Sequence, residues 1–260
     1  MEEDKILLSH ALDLKIRADE NSMITSTNFL DLRQNSLLRT LEKNSAQNIK
    51  TFYYGGYNDA ERVCAIFVPS FFEVGKDISD YFNLYPEDNP LCLLCITRDK
   101  FSVAGHRDYL GALIGLGLKR EVVGDIIIED ETAYVITLKK NSAFICDNLK
   151  SVGRATVEAV ECEFSRLSER KENYAEVTAF IASERLDNIV SAAFSLSRNN
   201  SVGFIEKGLV FVNSAEVLKP DYKVSVGDKI VLRGKGKAIF FSINGKSKKD
   251  RLHITLKKYV

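Results

Sequence analysis

The spacing of apolar residues changes period several times along this chain, and each change marks an element. Ile6, Leu7, Leu14 and Ala18 recur at helical spacing and predict a helix over residues 4–18. Phe29, Leu30, Leu37, Leu38 and Leu41 predict a second helix over 27–41. Residues 51–54 read as a strand entering a Gly55-Gly56 turn, expected as a hairpin, and 63–68 as a strand stopped by Pro69. Next come a strand at 91–97, a helix at 106–116, strands at 125–129 and 133–138, a helix at 142–149 and a strand at 152–160. That order is β-α-β-β-α-β, the ferredoxin-like plan that RNA-recognition modules also use. Many unrelated proteins share it, and only Tyr134 supplies an aromatic ring in the third strand, so base stacking on this sheet is not expected.

After a polar stretch at 165–173, a strand is predicted at 174–182. Ser183 then stands as a helix N-cap, and Leu186, Ile189, Val190, Ala193 and Phe194 form one apolar stripe. Ser197 opens a further helix that Gly208 ends. Residues 209–213 alternate into a strand and turn, and 229–233 are expected as the last strand of this unit. The chain therefore reads as α+β in three domains, at 1–80, 81–179 and 180–260.

Charge adds what periodicity cannot. The formal net charge is zero, yet residues 181–260 hold 15 of the 36 Lys and Arg and only 7 of the 36 Asp and Glu. That end is net +8 and the remainder net −8. A basic end on an acidic body points to a polyanion as partner. No window approaches a membrane span, and no basic leader followed by an apolar stretch opens the chain, so a cytoplasmic location is expected. Cys92 and Cys95 form a CxxC, but within a strand they face opposite sides and cannot share a metal, so core packing is expected and no cofactor or metal.

Arg185-Leu186-Asp187, Ser197-Arg198, Gly208-Leu209-Val210-Phe211-Val212-Asn213 and Val224-Ser225-Val226-Gly227-Asp228-Lys229-Ile230 follow one another with the order and spacing of an S4-type RNA-binding domain. Ser214 stands where many such domains have Gly. Further residues, Gly55-Gly56-Tyr57, Asp59-Ala60-Glu61-Arg62, His106 to Gly111, Leu116 to Asp125 and Arg233 to Lys237, extend the likeness. Nearly the full chain resembles the YlmH-like family of bacterial S4-domain proteins. The resemblance implies an N-terminal α/β domain, a central RRM-like RNA-binding domain and a C-terminal S4 domain. It also implies binding to the large ribosomal subunit in the rescue of stalled nascent chains, with a link to cell division through neighbouring genes.

The candidate RNA contacts follow from charge and placement. Arg185 and Arg198 stand at two helix starts, where backbone N–H groups also attract phosphate. Lys207, Lys229, Arg233, Lys235 and Lys237 complete the set in the last domain; if residues 233–237 are extended, their three charges line one face. Arg107, Lys119 and Arg120, with His106 and Arg154, form a second candidate surface in the central domain. The plainer alternatives are helix capping, surface charge and, for Arg185, a pair with Asp187 or Glu184. Neither Arg185 nor Arg198 lies on the apolar stripe, so neither is expected to support the core. The expected partners are ribosomal RNA and tRNA, with no small-molecule substrate and no membrane, and the chain is expected to be a monomer. Rival readings are an RNA-modifying enzyme and a cell-division scaffold. Asp187 sits in the R-L-D context of a pseudouridine synthase, but the S4 pattern uses the 73 residues that follow it. No glycine-rich cofactor loop follows a strand, and Phe240 stands where a phosphate loop ending in Gly245-Lys246-Ser247 needs its first Gly. The chain is therefore expected not to be an enzyme.

Overall fold

In the computed structural model, which describes residues 2–42, 49–58, 60–168 and 174–259, the first helix, α1, runs over Glu2–Glu20. Its acidic first turn and Arg17 near its end match the helix dipole. Its buried side is Ala11, Lys15 and Ala18, while Ile6 is exposed, so the stripe lies rotated from the predicted one. Strand β1 follows at Thr25–Ser26 and helix α2 at Leu32–Glu42. Phe29 and Leu30, expected on that helix, lie instead in extended chain. Thr27 N–H donates to Ala65 O, Phe29 N–H to Glu121 O and Leu30 N–H to Val63 O. Asp31 starts the helix: its Oδ1 accepts from Gln34 N–H at 2.8 Å, and its own N–H donates to Gln34 Oε1 at 2.9 Å. The side chain of Leu41, Asp59 and residues 169–173 of the polar stretch lie outside the described residues.

Strands β2 (Lys50–Tyr54) and β3 (Cys64–Val68) pair antiparallel with β1 on the far side of β3. The connection from β2 to β3 is long, not the tight turn expected at Gly55-Gly56. A Cβ on Gly55 would meet Ala60 and the Arg62 carbonyl at 2.4 Å, and one on Gly56 would meet Phe164 at 2.6 Å. Both glycines are there because other groups approach closely.

Helix α3 (Ile78–Leu84) leads to the central elements: β4 (Leu91–Arg98), α4 (His106–Gly115), β5 (Val123–Glu129), β6 (Thr132–Leu138), α5 (Lys139–Asn148), β7 (Ser151–Val152) and β8 (Ala155–Cys162). The sheet order is β5-β6-β4-β8-β7, all antiparallel, which is the predicted plan with its last strand split by a Gly153 turn. Cys92 is buried on the face toward α5, and Cys95 lies on the opposite face, near Cys162. On that second face Leu93, Ile136 and Leu138 are buried, and Gly56 and Phe164 lie against Ile136. The N-terminal elements thus cover part of the sheet face that an RNA-recognition module leaves open. One apolar core runs from Phe29 to Leu167, across the domain boundary expected at 80, while Val177 and Ala179 of the strand at 174–181, expected in the central domain, pack against the other core.

The four-residue helix α6 (Ser165–Ser168) precedes the C-terminal elements: β9 (Tyr174–Ile181), α7 (Leu186–Phe194), α8 (Arg198–Glu206), β10 (Val210–Val212), β11 (Ala215–Glu216), β12 (Lys229–Leu232), β13 (Gly236–Lys246) and β14 (Leu252–Tyr259). They form one six-stranded sheet in the order β11-β10-β12-β13-β14-β9. The predicted stripe of α7 is buried throughout and packs with Ile230, Leu232, Ala238, Phe240, Ile254 and Leu256. The strand at 229–232 is not the last of the unit. The lysine-rich end folds into β13 and β14, which pair with each other, and β14 pairs in turn with β9. The chain forms two compact units, Met1–Gln34 with Ser45–Arg170, and Asn35–Asn44 with Lys171–Val260. In the second, Ser36 Oγ accepts from Glu216 N–H at 2.8 Å.

Candidate nucleic-acid interface

Arg185, not Ser183, occupies the N-cap of α7. The segment ahead of the helix is held by Leu186 N–H donating to Tyr222 O and Val224 N–H to Glu184 O, while Ser183 accepts from Asn188 Nδ2. Helix α7 ends at Ser195 in the left-handed region, and Ser191 Oγ donates to Leu196 O across the turn. Ser197 then caps α8 by accepting from Asn200 N–H at 3.2 Å, as its position predicts. This helix-turn-helix brings Arg185 and Arg198 onto one carboxylate. Arg185 Nε and a terminal nitrogen donate to Asp187 Oδ1 and Oδ2 at 3.1 and 3.2 Å, and Arg198 Nε donates to Oδ2 at 3.0 Å. Asp187 is 1% exposed, whereas the arginine side chains are 40% and 61% exposed.

Burial pushes the Asp187 carboxyl up, but its hydrogen bonds to the two arginines outweigh that and hold it below the usual range. The same pairing raises Arg185 further. The arginines therefore do support the fold, contrary to the expectation from the stripe. A buried carboxylate with no counter-ion is costly. The triad is still net positive, and Arg198 uses one donor of its fork on Asp187, so a charged, positioned guanidinium remains at a helix start.

The other S4 motif residues brace this unit. Asn213 Nδ2 donates to Asp228 Oδ1 at 2.7 Å, Lys229 N–H donates to Asn213 Oδ1, and Ser225 N–H donates to Asp228 Oδ2. Gly208 and Gly227 take φ of 68° and 95°, where a side chain is strained.

The remaining candidates divide into separate groups. Residues 233–235 form the turn between β12 and β13 instead of an extended run, with Lys235 N–H donating to Leu232 O. Arg233 and Lys235 are exposed there, and Arg233 N–H donates to Leu209 O, two residues beyond the exposed Lys207. Lys229 and Lys237 lie on the sheet face away from α7 and α8, diagonal neighbours across β12 and β13. Burial, then the charge of Lys237, lowers Lys229. The basic residues thus serve two faces of the unit, not the single one expected.

In the first unit, Arg107 is exposed at the start of α4 and lines a groove of about 480 Å3 with Gly111, Lys150 and Gly153. Lys119 is exposed before a short 3-10 turn, and His106 and Arg154 are also exposed. Arg120 points inward: it donates to Val123 O and Gly124 O, and burial followed by the nearby Arg62 charge lowers it to about 10. Asp125 beside it accepts from Tyr57 Oη, Glu61 N–H and Arg62 N–H at 2.9, 2.7 and 3.0 Å. These residues hold the long β2–β3 loop to β5.

A cluster that sequence reasoning missed lies on β9, β13 and β14. Tyr174 and Phe180 alternate outward on β9, as Tyr259 and His253 do on β14, and Phe241 joins them from β13. The period-2 pattern of 174–180 and 253–259 was visible, but only sheet pairing brings the two rows together. Among the described residues no group of His, Cys, Asp and Glu could hold a metal ion, and no helix is long and apolar enough to cross a membrane.

Comparison with known proteins agrees with this arrangement. Residues 86–166 match the family described as "Putative RNA-binding domain in YlmH", and residues 184–230 match the S4 domain. The chain is 29% identical over 259 residues to the "Ribosome-associated protein quality control protein P2" of Bacillus subtilis (strain 168), spanning 98% of this chain and 95% of that one. In fold it is similar to the "Cell division protein ylmH from Streptococcus pneumoniae", with a TM-score of 0.50 and 21% identity over 63% of this chain and 93% of that one. The helix-turn-helix on its sheet and the matched domains define an S4-domain protein with two RNA-binding domains. The chain is similar to the YlmH-like family, through its central domain and, over nearly its whole length, through the Bacillus subtilis relative.

Proposed function

We propose that this is a non-catalytic RNA-binding protein that docks on RNA of the large ribosomal subunit, contacts tRNA there, and acts in the rescue of stalled nascent chains. The observation that carries the reading is the pair of arginines at two helix starts, held 3.0–3.2 Å from one buried carboxylate. Positioned guanidinium groups lose little entropy on gripping phosphate, unlike free lysine side chains. The name of the Bacillus subtilis relative supports a ribosomal partner. Arg107 and Lys119 supply a second contact from the central domain, whereas the inward guanidinium of Arg120 positions its loop. The structural use of Asp187, at 1% exposure with both oxygens engaged, also favours binding over base chemistry.

The test is co-sedimentation with large ribosomal subunits at rising salt. Wild type should travel with the subunit at low salt and be released as salt rises. Arg198→Ala leaves the Arg185 pair on Asp187, so the domain stays folded. It should bind roughly ten-fold more weakly, the loss of one charge-assisted hydrogen bond. Wild type that stays at the top of the gradient at low salt would favour a scaffold role. A base modification in RNA that is lost in Asp187→Asn would favour an enzyme.

A further inference from the structure

The sheet of the C-terminal unit has one face under α7 and α8 and another turned away from them. On the second face, strand pairing sets Tyr174 against Tyr259 and Phe180 against His253. The tyrosine rings meet edge to face at 4.8 Å, and Phe180 stacks on His253 at 4.6 Å with 18° between planes. Phe180 is 54% exposed and Phe241 47% exposed, which is unusual for phenylalanine on a folded sheet.

Cations are interleaved with these rings. Lys257 Nζ lies 3.6 Å from the centre of Phe241 and 5.8 Å from that of Tyr174, and Lys237 Nζ lies 4.3 Å over Tyr259. Lys229 shares this face. Among the described residues of β9, β12, β13 and β14, Glu176 is the one carboxylate that faces the same way, and it sits opposite Lys257; Glu216 shares the face at its far edge, on β11 opposite Phe211. An apolar face built to pair with another protein would not be so one-sided in charge. A patch rich in rings and lysines, with one acid among the rings of β9, β13 and β14, complements a chain that is aromatic and anionic at once. The row from His253 to Tyr259 spans roughly 20 Å, enough for several nucleotides.

We propose that this face is a second RNA-binding surface, which stacks the unpaired bases of single-stranded RNA on its rings and holds their phosphates with its lysines. It is separate from the arginine pair and does not depend on that pair's role. The lysines over the rings are no obstacle. An exposed cation–π contact is worth only about two- to five-fold in an equilibrium, whereas stacking one base is worth roughly five-fold to a hundred-fold. A base therefore displaces the ammonium group, which turns to the adjoining phosphate. Sequence preference is weak on such a platform, because every base has a π face.

The test uses the full chain and two labelled RNAs read by fluorescence anisotropy at low salt: a short unstructured pyrimidine strand and a fully paired hairpin. Phe180→Ala with Phe241→Ala should weaken the single strand at least about ten-fold and leave the hairpin unchanged. Phe180→Tyr with Phe241→Tyr should bind as wild type, which separates ring stacking from a fold defect. Arg198→Ala should do the reverse, weakening the hairpin and sparing the single strand, so the two sites fail independently. The proposal is overturned if wild type does not bind the single strand, if the alanine pair binds it normally, or if the alanine pair loses both RNAs alike. It is equally overturned if wild type is a dimer in solution that the alanine pair dissociates, since the face would then bind a second copy of the chain.

Discussion

Arg198 Nε lies 3.0 Å from Asp187 Oδ2, eleven residues away along the chain, and this contact ties the start of one helix to the start of the next. Its stability effect is asymmetric, because Asp187 is buried and its partners are not. Removing both arginines leaves a buried carboxylate with no counter-ion, at a cost of about 3 kcal/mol or more. Removing the charge of Asp187 leaves two arginines that water can reach. Urea unfolding should therefore show Arg185→Ala with Arg198→Ala well below Asp187→Asn in stability. Equal midpoints would mean that the carboxylate is solvated in the free protein.

Acid should expose the same link. The folded Asp187 is held below the usual carboxylate range, so its contribution is full above the unfolded value of about 4 and is lost as pH falls through the folded value. Asp4 and Asp99 are lowered too, so the informative quantity is a difference between proteins. Below about pH 4 the stability of wild type should fall more steeply than that of Asp187→Asn, and the two curves should run parallel at neutral pH. Parallel curves throughout the acid range would contradict the pairing.

Much of this was legible in the sequence because local spacing and fold agree. The stripe of α7, the Ser197 cap and the antiparallel order of the central sheet all follow from nearby residues. What was not legible came from distant partners. Phe29 and Leu30 keep helical spacing with Leu37, yet Val63 and Glu121 draw their N–H groups into extended chain. The helix starts instead at Asp31 and Gln34, where each side chain accepts from the other residue's backbone N–H. An extended run was expected over 233–237, but Gly234, with φ of 80°, lies in a turn that separates Arg233 and Lys235 from Lys237, and Gly236 enters β13 with φ of 102°. The lysine-rich end, with its mixed polar pattern, gains its strand character from pairing with β9.

Ser214 offers a direct test of backbone cost. With Asn213 it forms the two-residue turn between β10 and β11, and both take positive φ, 48° and 67°. Asn tolerates that region and is fixed by Asp228, whereas Ser has no such preference. Ser214→Gly should raise stability by about 1 kcal/mol, seen as a higher urea midpoint with an unchanged slope. A lower midpoint would mean that the entropy glycine adds to the unfolded chain exceeds the strain it removes.

The turn carrying Arg233 and Lys235 should be visible in salt dependence instead of stability. Both residues are exposed, three residues join β12 to β13, and the neighbouring Lys207 adds charge to the same region. The β13–β14 turn differs, since Asp250 stands beside Lys248 and Lys249 and pairs with Lys246 at 2.7 Å. If each side chain of the first turn meets one phosphate of duplex RNA, each releases about 0.9 of a counterion on binding, taking the duplex DNA value as a guide. Arg233→Ala with Lys235→Ala should then flatten the plot of log affinity against log salt by about 1.8 in slope, using the subunit as ligand. Lys248→Ala with Lys249→Ala should leave the slope nearly unchanged. Neither pair belongs to the buried core, so both variants should unfold at the wild-type urea midpoint. If the slope falls for Lys248 and Lys249 and not for Arg233 and Lys235, the RNA lies along the β13–β14 turn, and the β12–β13 turn is no part of the docking surface.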